Sequence, residues 1–552
     1  MSLAETIYDE QAQLWHGPER TAAFDASISI AEHIYNALKE QPTHTYQIKH
    51  AAASNQVVSK AQTLSAAIRL ATFLEAEGLS HQHVVGIIAR NSPEVTQLIF
   101  ACLFNATPFH AVNPAQDAHA IAAIYAITKP KFIFCNGKDY KRIAQATKQW
   151  KPVIIAIEEQ MQNILGTAEE NQHYSCAEFH AVVYARLLCY FCRPQQLVEG
   201  AAQIMAIICS SGTTGLPKAV TLTNAQLCQV APYGSSDDVV YTTAGYDWLT
   251  GIKTLLANTL YGASSVVSSA AFSVPSIQQL IRQHKVSICH MSHWQFNELF
   301  TSALVDPAAL ASLQLIVYGG GWVAAKLVQR ARELLESTHL LGIYGTTETD
   351  IVAVCVNATE DNLAGMLLPG VSLRIVNAAG ENLGLHQVGE VLIKTNLSWR
   401  GYCNNAAATA QTLDAQGWYH MGDLGYFDEQ QYLYIVDRKK DVLKFKGMQY
   451  TPNEIERVIR QLPQVLHVCV VGMRHELYGD MAGALIVKQP LSALTAPQVA
   501  LHVAQSLPQH KQLHAGVLFV PQLPVNANGK LLRAVAKQMF QQQQQQLLQA
   551  KL

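Results

Sequence analysis

The fold-determining stretch is Ile204-Met205-Ala206-Ile207-Ile208-Cys209-Ser210-Ser211-Gly212-Thr213-Thr214-Gly215-Leu216-Pro217-Lys218. Its first six residues are apolar and predict a buried strand. The loop that follows contains two glycines, which open the backbone, four hydroxyl groups, which can donate to phosphate oxygens, and a lysine. The spacing differs from the Walker pattern of P-loop NTPases. The loop is predicted to bind a polyphosphate, and a plain Gly/Ser/Thr turn between strands is the alternative.

Around this strand, helical periodicity alternates with short apolar runs rich in β-branched residues. Lys60 to Glu77 predicts a helix, whereas His83 to Ala89 and Pro130 to Cys135 predict strands. The alternation continues to about Tyr318 and is typical of an α/β fold with mainly parallel sheets. After about Pro369, short alternating strands with Gly and Asn turns predict a smaller β subdomain.

A charged segment, Asp437-Arg438-Lys439-Lys440-Asp441, marks the predicted domain boundary. We expect a large N-terminal domain at residues 1–438, a small α+β domain at 439–540 and a Gln-rich tail at 541–552. Solvated charge at a boundary fits a mobile hinge, and it fits an ordinary surface turn equally well. The glutamine run within the tail is interpreted as a flexible leash.

Length and composition bound the class of protein. The 552 residues favour two or more domains, and 49% hydrophobic with 14% charged residues describes a globular chain. A net charge of -2 gives no basic surface for nucleic acid or an anionic membrane. The most apolar stretch, Val95 to Val112, is interrupted by polar residues, so we expect no transmembrane segment.

The cysteines and the C-terminus indicate a compartment. The 11 cysteines are spread over the chain, which favours reduced thiols, and ordinary packing is favoured over a redox or metal role for the pair Cys189 and Cys192. The last residues, Ala550-Lys551-Leu552, are similar to the S-K-L tripeptide. We therefore expect recognition by a peroxisomal import receptor and location in the peroxisome, or otherwise in the cytoplasm.

Four further segments contain candidate site residues. Tyr344-Gly345-Thr346-Thr347-Glu348-Thr349 sets hydroxyls beside a carboxylate, which suits a phosphate oxygen together with Mg²⁺. Asp423, after a glycine turn, could accept hydrogen bonds from a ribose. Lys444 lies in the segment Leu443-Lys444-Phe445-Lys446-Gly447, and Lys530 follows a tight Asn-Gly turn, which fixes where its ammonium can reach. The alternatives are a polar strand end, a turn aspartate and exposed lysines.

In this order and spacing, the motifs resemble the adenylate-forming superfamily of acyl-CoA synthetases, 4-coumarate-CoA ligases and beetle luciferases, from about residue 25 to 537. The match covers the Gly-Thr-Thr-Gly-x-Pro-Lys loop, Tyr-Gly-x-Thr-Glu, Gly-Asp with the downstream Asp-Arg, and Pro-x-x-x-x-Gly-Lys. The resemblance implies a large N-terminal domain and a mobile C-terminal lid. It also implies that ATP converts a carboxylic acid to an acyl-adenylate, and that the thiol of coenzyme A then displaces AMP.

The resemblance implies a role for each motif residue. It assigns the phosphates of ATP to Ser210, Ser211, Gly212, Thr213, Thr214, Gly215 and Lys218, and the remaining nucleotide contacts to Tyr344, Gly345, Thr346, Asp423 and Arg438. Thr347 is implied near the α-phosphate and Glu348 as the Mg²⁺ carboxylate. Lys530 is implied as the adenylation lysine, and Lys444 as the lysine that replaces it for thioester formation.

Some residues depart from the family pattern. Ala219 stands where glycine is usual, and Asn224-Ala225 replaces a common His-Arg pair. The acyl and adenine site is expected at Gly319, Gly320, Gly321 and Trp322, with Trp248 at the acyl entrance. The expected activity is an ATP-dependent carboxylate-CoA ligase acting on a fatty or arylalkanoic acid. The alternatives are a luciferase-like monooxygenase that uses the adenylate and a nucleotide- or acyl-binding pseudoenzyme.

Overall fold

The computed structural model describes residues 5–20, 23–51, 55–165, 193–210, 218–526 and 531–549. The chain divides into two compact units. The first unit comprises residues 1–7, 16–372 and 393–419, and the second comprises residues 8–15, 373–392 and 420–552.

The helices alternate with strands through most of the first unit. Its α-helices are α1 (Ile30–Lys39), α2 (Lys60–Ala76), α3 (Pro93–Phe104), α4 (Ala118–Thr128), α5 (Tyr140–Ala146), α6 (Gln160–Leu165), α7 (Asn224–Leu227), α8 (Leu249–Tyr261), α9 (Val274–His284), α10 (His293–Thr301), α11 (Ala325–Leu334) and α12 (Ala406–Thr412). The α-helices of the second unit are α13 (Pro452–Ile459), α14 (Ala496–Ser506) and α15 (Arg533–Gln549). Short 3-10 helices lie at Gly137–Asp139, Gly200–Ala202, Pro307–Leu310, Lys439–Asp441 and Gln509–Lys511.

The strands are numbered in chain order. The first unit contains β3 (Thr45–His50), β4 (Gln56–Ser59), β5 (Val85–Ile88), β6 (Phe109–Ala111), β7 (Phe132–Cys135), β8 (Val153–Ala156), β9 (Ile204–Ser210), β10 (Lys218–Thr223), β11 (Val239–Thr242), β12 (Ser264–Ser268), β13 (Ile288–Ser292), β14 (Leu315–Gly319), β15 (His339–Thr346), β16 (Asp350–Val356) and β17 (Leu363–Leu367). The remaining strands lie wholly or mostly in the second unit. They are β1 (Ile7–Asp9), β2 (Leu14–His16), β18 (Val371–Val376), β19 (Gly389–Thr395), β20 (Tyr419–Phe427), β21 (Leu433–Arg438), β22 (Leu443–Phe445), β23 (Met448–Tyr450), β24 (Val465–His475), β25 (Gly479–Lys488) and β26 (Gly516–Phe519).

A six-stranded sheet in the first unit has the order β10-β9-β6-β5-β7-β8. Strands β9, β6, β5, β7 and β8 run parallel, and β10 pairs with β9 in the antiparallel direction. Helices α2 and α3 contribute to the same apolar core as strands of this sheet. The predicted buried strand from Ile204 is confirmed as β9, and the predicted helix from Lys60 is confirmed as α2.

A second run of strands in the first unit has the order β4-β3-β12-β11-β13-β14-β15-β16-β17. The strands from β3 to β15 pair in parallel, whereas β4, β16 and β17 are antiparallel to their neighbours. Helices α9, α10 and α11 pack on this run through a separate apolar cluster. The predicted α/β class with mainly parallel sheets is confirmed.

The second unit contains a β20–β21 hairpin and a five-stranded sheet in which β24 and β25 form the longest pair. One apolar cluster joins α13 and α14 to strands of this sheet, and another joins α15 to β24 and β25. Gly483 of β25 lies so close to α15 that a Cβ there would be 2.5 Å from Phe540.

The interpretation of the glutamine run as a flexible leash is wrong. Residues 541–546 continue α15, which begins at Arg533. Glutamine has a good helix propensity, and the helix is fixed by the fully buried Ala536 and Phe540. Gln544 Nε2 also donates to the carbonyl of Ala515 at 2.6 Å. The tripeptide Ala550-Lys551-Leu552 lies outside the described residues.

Two further features of the described residues concern membrane-spanning helices and the state of the cysteines. No helix among them is both long and apolar enough to cross a bilayer. Free thiols are carried by the described cysteines, at positions 102, 135, 209, 228, 289, 355, 403 and 469. The pair Cys189 and Cys192 lies in the part of the chain that the structure does not describe.

Candidate active site

The predicted Mg²⁺ motif forms the turn between β15 and β16. Tyr344, Gly345 and Thr346 are the last residues of β15, and Thr347 and Glu348 lie in the turn itself. A Cβ at Gly345 would be 2.2 Å from the carbonyl oxygen of Asp350, so the hairpin requires glycine at this position. Strand β15 runs parallel to β14, and such strand ends are where α/β sheets bind ligands.

Two threonines close this turn. The hydroxyls of Thr346 and Thr349 are 2.9 Å apart, and each also accepts a hydrogen bond from the backbone N–H of the other residue at 3.3 Å. Glu348, between them in sequence, has a relative exposure of only 4%. A buried carboxylate needs hydrogen-bond or cation partners, because desolvation penalises its charge.

Tyr402 supplies one partner for Glu348. Its phenol donates to Glu348 Oε1 at 2.7 Å, and Thr412 Oγ1 donates to the same phenol oxygen at 3.4 Å. Burial, together with the negative charge of Glu348, raises the pKa of Tyr402 well above its ordinary value. The phenol therefore stays protonated and acts as a hydrogen-bond donor at neutral pH.

Lys218 approaches the same tyrosine. Strand β10 is tied to the segment around Tyr402 because Thr221 Oγ1 donates to the carbonyl of Gly401 at 2.7 Å and Cys403 N donates to that of Ala219 at 2.8 Å. These bonds place Lys218 Nζ 4.5 Å from the centroid of the Tyr402 ring, within cation–π distance. The structure thus brings two predicted site residues, Lys218 and Glu348, to one aromatic side chain.

The phosphate-loop prediction is only partly covered by the described residues. Ser210 and Lys218 are cross-strand partners at the ends of β9 and β10, so both ends of the loop lie side by side. Ser211, Gly212, Thr213, Thr214 and Gly215 lie outside the described residues. The roles of these loop residues in ATP binding stay predictions.

An ion pair that the sequence analysis missed supports the turn. Lys253 Nζ of α8 lies 2.7 Å from Asp350 Oδ2, and it also donates to the carbonyls of Gln226 and Gln229 at 2.6 Å each. Asp350 lies two residues after Glu348, the last residue of the Tyr-Gly-x-Thr-Glu motif, and has a φ of 63°. No single-sequence signal pairs these two residues, since they are 97 positions apart and the pairing depends on the tertiary fold.

Close backbone approaches shape the predicted acyl segment. A Cβ at Gly319 would be 2.5 Å from Ile343 Cγ1, and one at Gly321 would be 2.6 Å from three ring atoms of His293. Gly320 between them has a φ of +80°. Glycines are therefore required along the chain leading to Trp322, whereas Trp248 precedes α8 as its N-terminal flanking residue.

The two departures near the phosphate loop have structural roles. Ala219 is buried in β10, where its carbonyl accepts from Cys403. Asn224 is fully buried, and its side chain bonds Ala26 O, Ile28 O and the N–H of Ile30 at 2.8–3.0 Å. This side chain fixes the start of α1 to the start of α7.

The predicted ribose contacts lie in the second unit. Asp423 of β20 and Arg438 of β21 are cross-strand partners, and Arg438 Nε lies 2.5 Å from Asp423 Oδ1. Asp423 is thus a strand residue and not part of a turn. Next to it in the hairpin, burial raises the pKa of Asp437 to about 6, although backbone N–H groups of Arg438 and Asn453 bond its carboxylate.

The two predicted lysines of the half-reactions are also in the second unit. Lys444 is exposed in the short strand β22, where its backbone N–H donates to Asp480 Oδ2 at 3.2 Å. Lys530 lies outside the described residues, but its neighbours Val525 and Leu531 form an antiparallel bridge. The roles of both lysines stay predictions.

Glu348, as a single carboxylate, fits a metal ion that is bound together with a substrate. Among the described residues, no group of three or more His, Cys, Asp and Glu side chains could hold a metal. Mg²⁺ usually takes one or two carboxylates plus phosphate oxygens, so Glu348 with a bound polyphosphate would suffice. When bound, such an ion would neutralise phosphate charge.

The family comparisons agree with this arrangement. Residues 35–403 match the model of the AMP-binding enzyme family, and residues 454–530 match that of the AMP-binding enzyme C-terminal domain. The chain is 27% identical to 4-coumarate-CoA ligase 1 of Narcissus pseudonarcissus, over 87% of this chain and 88% of that one. It is 25% identical to luciferin 4-monooxygenase of Photinus pyralis, over 91% and 93% of the two chains.

Solved structures share the fold. ATP-bound MatB from Rhodopseudomonas palustris superposes with a TM-score of 0.81 at 20% identity, covering 93% of this chain and 99% of that one. The anthranilate CoA ligase AuaEII in complex with anthranoyl-AMP gives a TM-score of 0.81 at 19% identity, covering 94% and 99%. The chain belongs to the AMP-binding enzyme family, and so to the adenylate-forming superfamily of acid–CoA ligases and luciferases that its motifs resemble.

Proposed function

We propose that the chain is an ATP- and Mg²⁺-dependent carboxylate–CoA ligase that acts on a fatty or arylalkanoic acid. The observation that carries the proposal is the convergence of Lys218 and Glu348 on Tyr402. A lysine and a carboxylate within reach of one ring can bind the phosphates and the metal of one metal–ATP complex.

The first half-reaction joins the acid to AMP. A carboxylate oxygen attacks the α-phosphorus of ATP, and the bond from this phosphorus to the bridging oxygen of pyrophosphate breaks. Lys218 would hold the outer phosphates, while Lys530 would stabilise the negative charge that develops between the acid and the α-phosphate. Asp423 and Arg438 would contact the ribose, as the family resemblance implies.

The second half-reaction transfers the acyl group. The thiol of coenzyme A loses its proton and attacks the acyl carbon, and AMP leaves with the electrons of the broken acyl–oxygen bond. Lys444 is proposed to act in this step. Its exposed position on β22 supports the proposal, because an exposed lysine remains available to a second substrate.

The class of acid is proposed from the acyl segment and the relatives. Trp322 follows three glycines, and Trp248 precedes α8, so both predicted acyl-site positions offer aromatic surface. The names of similar proteins refer to aromatic acids such as 4-coumarate and anthranilate. These names and the two tryptophans support an acid with an aromatic ring, of which an arylalkanoic acid is our proposed class, and a fatty acid is its apolar aliphatic counterpart.

We also propose that the enzyme works in the peroxisome. The support is the terminal Ala550-Lys551-Leu552, which a peroxisomal import receptor would bind. A fluorescent protein fused to the N-terminus should colocalise with a peroxisomal marker, and deletion of the tripeptide should return the fusion to the cytoplasm.

The proposed activity is tested by acyl-CoA formation with a panel of acids of graded length and aromaticity. Acyl-CoA and AMP should form in equal amounts with ATP, Mg²⁺ and coenzyme A present. Light emission with luciferin and oxygen would favour a luciferase-like monooxygenase, because luciferin 4-monooxygenases are among the relatives that are 25% identical to this chain. ATP binding with no pyrophosphate exchange for any acid would favour a nucleotide-binding pseudoenzyme.

A further inference from the structure

We infer that Tyr402 is a positioning residue, which fixes the carboxylate of Glu348 in the orientation that binds the metal of a metal–ATP complex. The inference rests on the proposed function, because it takes Glu348 as the metal carboxylate. Nothing in the motif pattern or in the family comparison assigns this role to Tyr402; the hydrogen bonds of the structure do.

The hydrogen bonds around Tyr402 have one direction. An ionised carboxylate accepts hydrogen bonds and donates none, so the 2.7 Å contact to Glu348 Oε1 uses the proton of the phenol. The hydroxyl of Thr412 then donates to the phenol oxygen at 3.4 Å. The relay from Thr412 through Tyr402 to Glu348 therefore delivers a donor to one defined oxygen of the carboxylate.

The backbone and ring of Tyr402 are held firmly. Its backbone N–H donates to Thr409 Oγ1 at 2.9 Å, and the residue bridges to Val220 of β10 in the antiparallel direction. The indole of Trp399 packs edge-to-face on its ring, with centroids 4.8 Å apart and an interplanar angle of 90°. Because Tyr402 is only 6% exposed, the phenol is a rigid reference point for Glu348.

The side chain of Glu348 needs a fixed hydrogen-bond partner because this residue lies in a turn. Its neighbours Thr346 and Thr349 bond to each other, which fixes the backbone of the turn but does not set the rotation of the glutamate side chain. A hydrogen bond to Oε1 selects one rotamer and thereby fixes where Oε2 points. Hydrogen bonds to metal-ligating carboxylates typically contribute about 10- to 100-fold in metal affinity or activity.

Lys218 makes the positioning useful for catalysis. Its ammonium group lies over the ring of Tyr402, and the hydroxyl of Tyr402 donates to Glu348. Tyr402 therefore contacts both the lysine that would bind the phosphates and the carboxylate that would bind the metal. The substitution Tyr402→Phe keeps the ring under Lys218 and removes the hydroxyl, and with it the bond to Glu348 and the bond from Thr412.

The test is a titration of Mn²⁺, followed by electron paramagnetic resonance, in the presence of a non-hydrolysable α,β-methylene analogue of ATP. Four variants of the full chain are compared with the wild type: Tyr402→Phe, Thr412→Val, Glu348→Gln and, as a control, Tyr46→Phe. Tyr46 is a fully buried tyrosine whose hydroxyl bonds Thr259 Oγ1 at 2.6 Å, far from Glu348 in sequence. Circular dichroism and melting temperature report on folding.

We expect Tyr402→Phe to weaken Mn²⁺ binding to the protein–nucleotide complex about tenfold or more, and binding of the metal-free nucleotide to change less than twofold. Thr412→Val should weaken Mn²⁺ binding in the same direction by a smaller factor, so it serves if Tyr402→Phe fails to fold. Tyr46→Phe should retain wild-type Mn²⁺ affinity even if its melting temperature falls.

Two results would contradict different parts of this account, the role of Tyr402 and the metal assignment of Glu348. If Tyr402→Phe binds Mn²⁺ within twofold of the wild type while Glu348→Gln loses tenfold or more, Tyr402 has no positioning role and the proposed function stands. If Glu348→Gln also retains wild-type Mn²⁺ affinity, the metal assignment within the proposed function is wrong.

Discussion

Lys253 and Asp350 form an ion pair of 2.7 Å in the first unit, with side-chain exposures of 11% and 15%. The pair joins α8, which follows Trp248, to the residue that ends the Glu348 turn. Both carbonyls of Gln226 and Gln229 also accept from Lys253, so its ammonium is fully engaged. A movement of α8 would therefore be transmitted to the turn that is predicted to bind metal and phosphate.

We expect Lys253→Met to lower the free energy of unfolding by about 3 kcal/mol, because it removes the ion-pair partner of Asp350, whose side chain is only 15% exposed. Asp350→Asn should cost a similar amount, since asparagine tolerates the positive φ at this position but leaves Lys253 without its counter-ion. The double variant should cost clearly less than the sum. Urea unfolding of all four proteins measures the coupling energy.

The matched control is the exposed pair Arg282–Asp306, whose side chains are 61% and 48% exposed. Removing either member should cost about 1 kcal/mol or less. Additive effects of Lys253→Met and Asp350→Asn would show that the pair does not act as a unit.

Asp247, next to Trp248, should make stability depend on pH. Burial raises its pKa from the ordinary 3.8 to about 6, and the hydrogen bond from Asn113 Nδ2 at 3.1 Å opposes this shift. The folded state therefore gains stability from the protonated acid below about pH 4 and loses that gain as the pH rises through about 6. Asp247→Asn has no such titration. The difference between its free energy of unfolding and that of the wild type should therefore rise by up to about 3 kcal/mol as the pH increases from about 4 to above about 6. A constant difference from about pH 4 to pH 8, measured by urea unfolding, would contradict this.

Gly321→Ala should impair use of the acid substrate. The new methyl group would meet the ring of His293 at 2.6 Å, so the segment that precedes Trp322 must shift. We expect kcat/KM for the acid to fall about tenfold or more, because small displacements of bound substrate are costly. The double variant His293→Ala with Gly321→Ala should recover most of the loss.

A control separates this clash from backbone strain. Gly78 has a φ of +71°, and a Cβ at this position would have nothing within 4 Å, so Gly78→Ala should destabilise by about 1 kcal/mol without affecting kcat/KM. Equal kcat/KM for Gly321→Ala and the wild type would mean that this segment does not shape the acyl site.

Lys444→Ala should separate the half-reactions. Acid-dependent pyrophosphate exchange should stay close to wild type, while acyl-CoA formation should fall on the order of 10²–10³-fold, as for loss of one preorganised electrostatic contact. The matched control is Lys446→Ala in the same hairpin, whose ammonium lies 4.9 Å from the ring centroid of Tyr478. Equal losses in both half-reactions would contradict the assignment of Lys444 to the second one.

The sequence predicted the layered α/β fold because its signals are local. The apolar run from Ile204 and the periodicity from Lys60 depend on neighbours in the chain, and both became the elements they predicted. The glutamine run misled for the opposite reason: its helical state depends on Phe540 packing against Gly483 of a distant strand.

The site was predictable only where motifs are continuous in sequence. The turn with Glu348 and the lysine that ends the phosphate loop both follow from single short segments. Tyr402 lies 54 residues from Glu348 and 184 from Lys218, and it carries no motif beyond a preceding glycine with a φ of +89°. Its contacts depend on the tertiary placement of β10, α12 and the turn between β15 and β16. Those of Lys253 likewise depend on the placement of α8 near Asp350 and the segment from Gln226 to Gln229.

The most direct measurement of the central claim is acid-dependent exchange of labelled pyrophosphate into ATP, across a panel of aryl and aliphatic acids, followed by addition of coenzyme A. The account predicts exchange that requires both Mg²⁺ and a suitable acid, falls by about 10²–10³-fold in Lys530→Ala, and gives way to acyl-CoA and AMP when coenzyme A is added. Wild-type exchange in the Lys530→Ala variant, or no exchange with any acid in a folded wild-type protein that binds ATP, would contradict it.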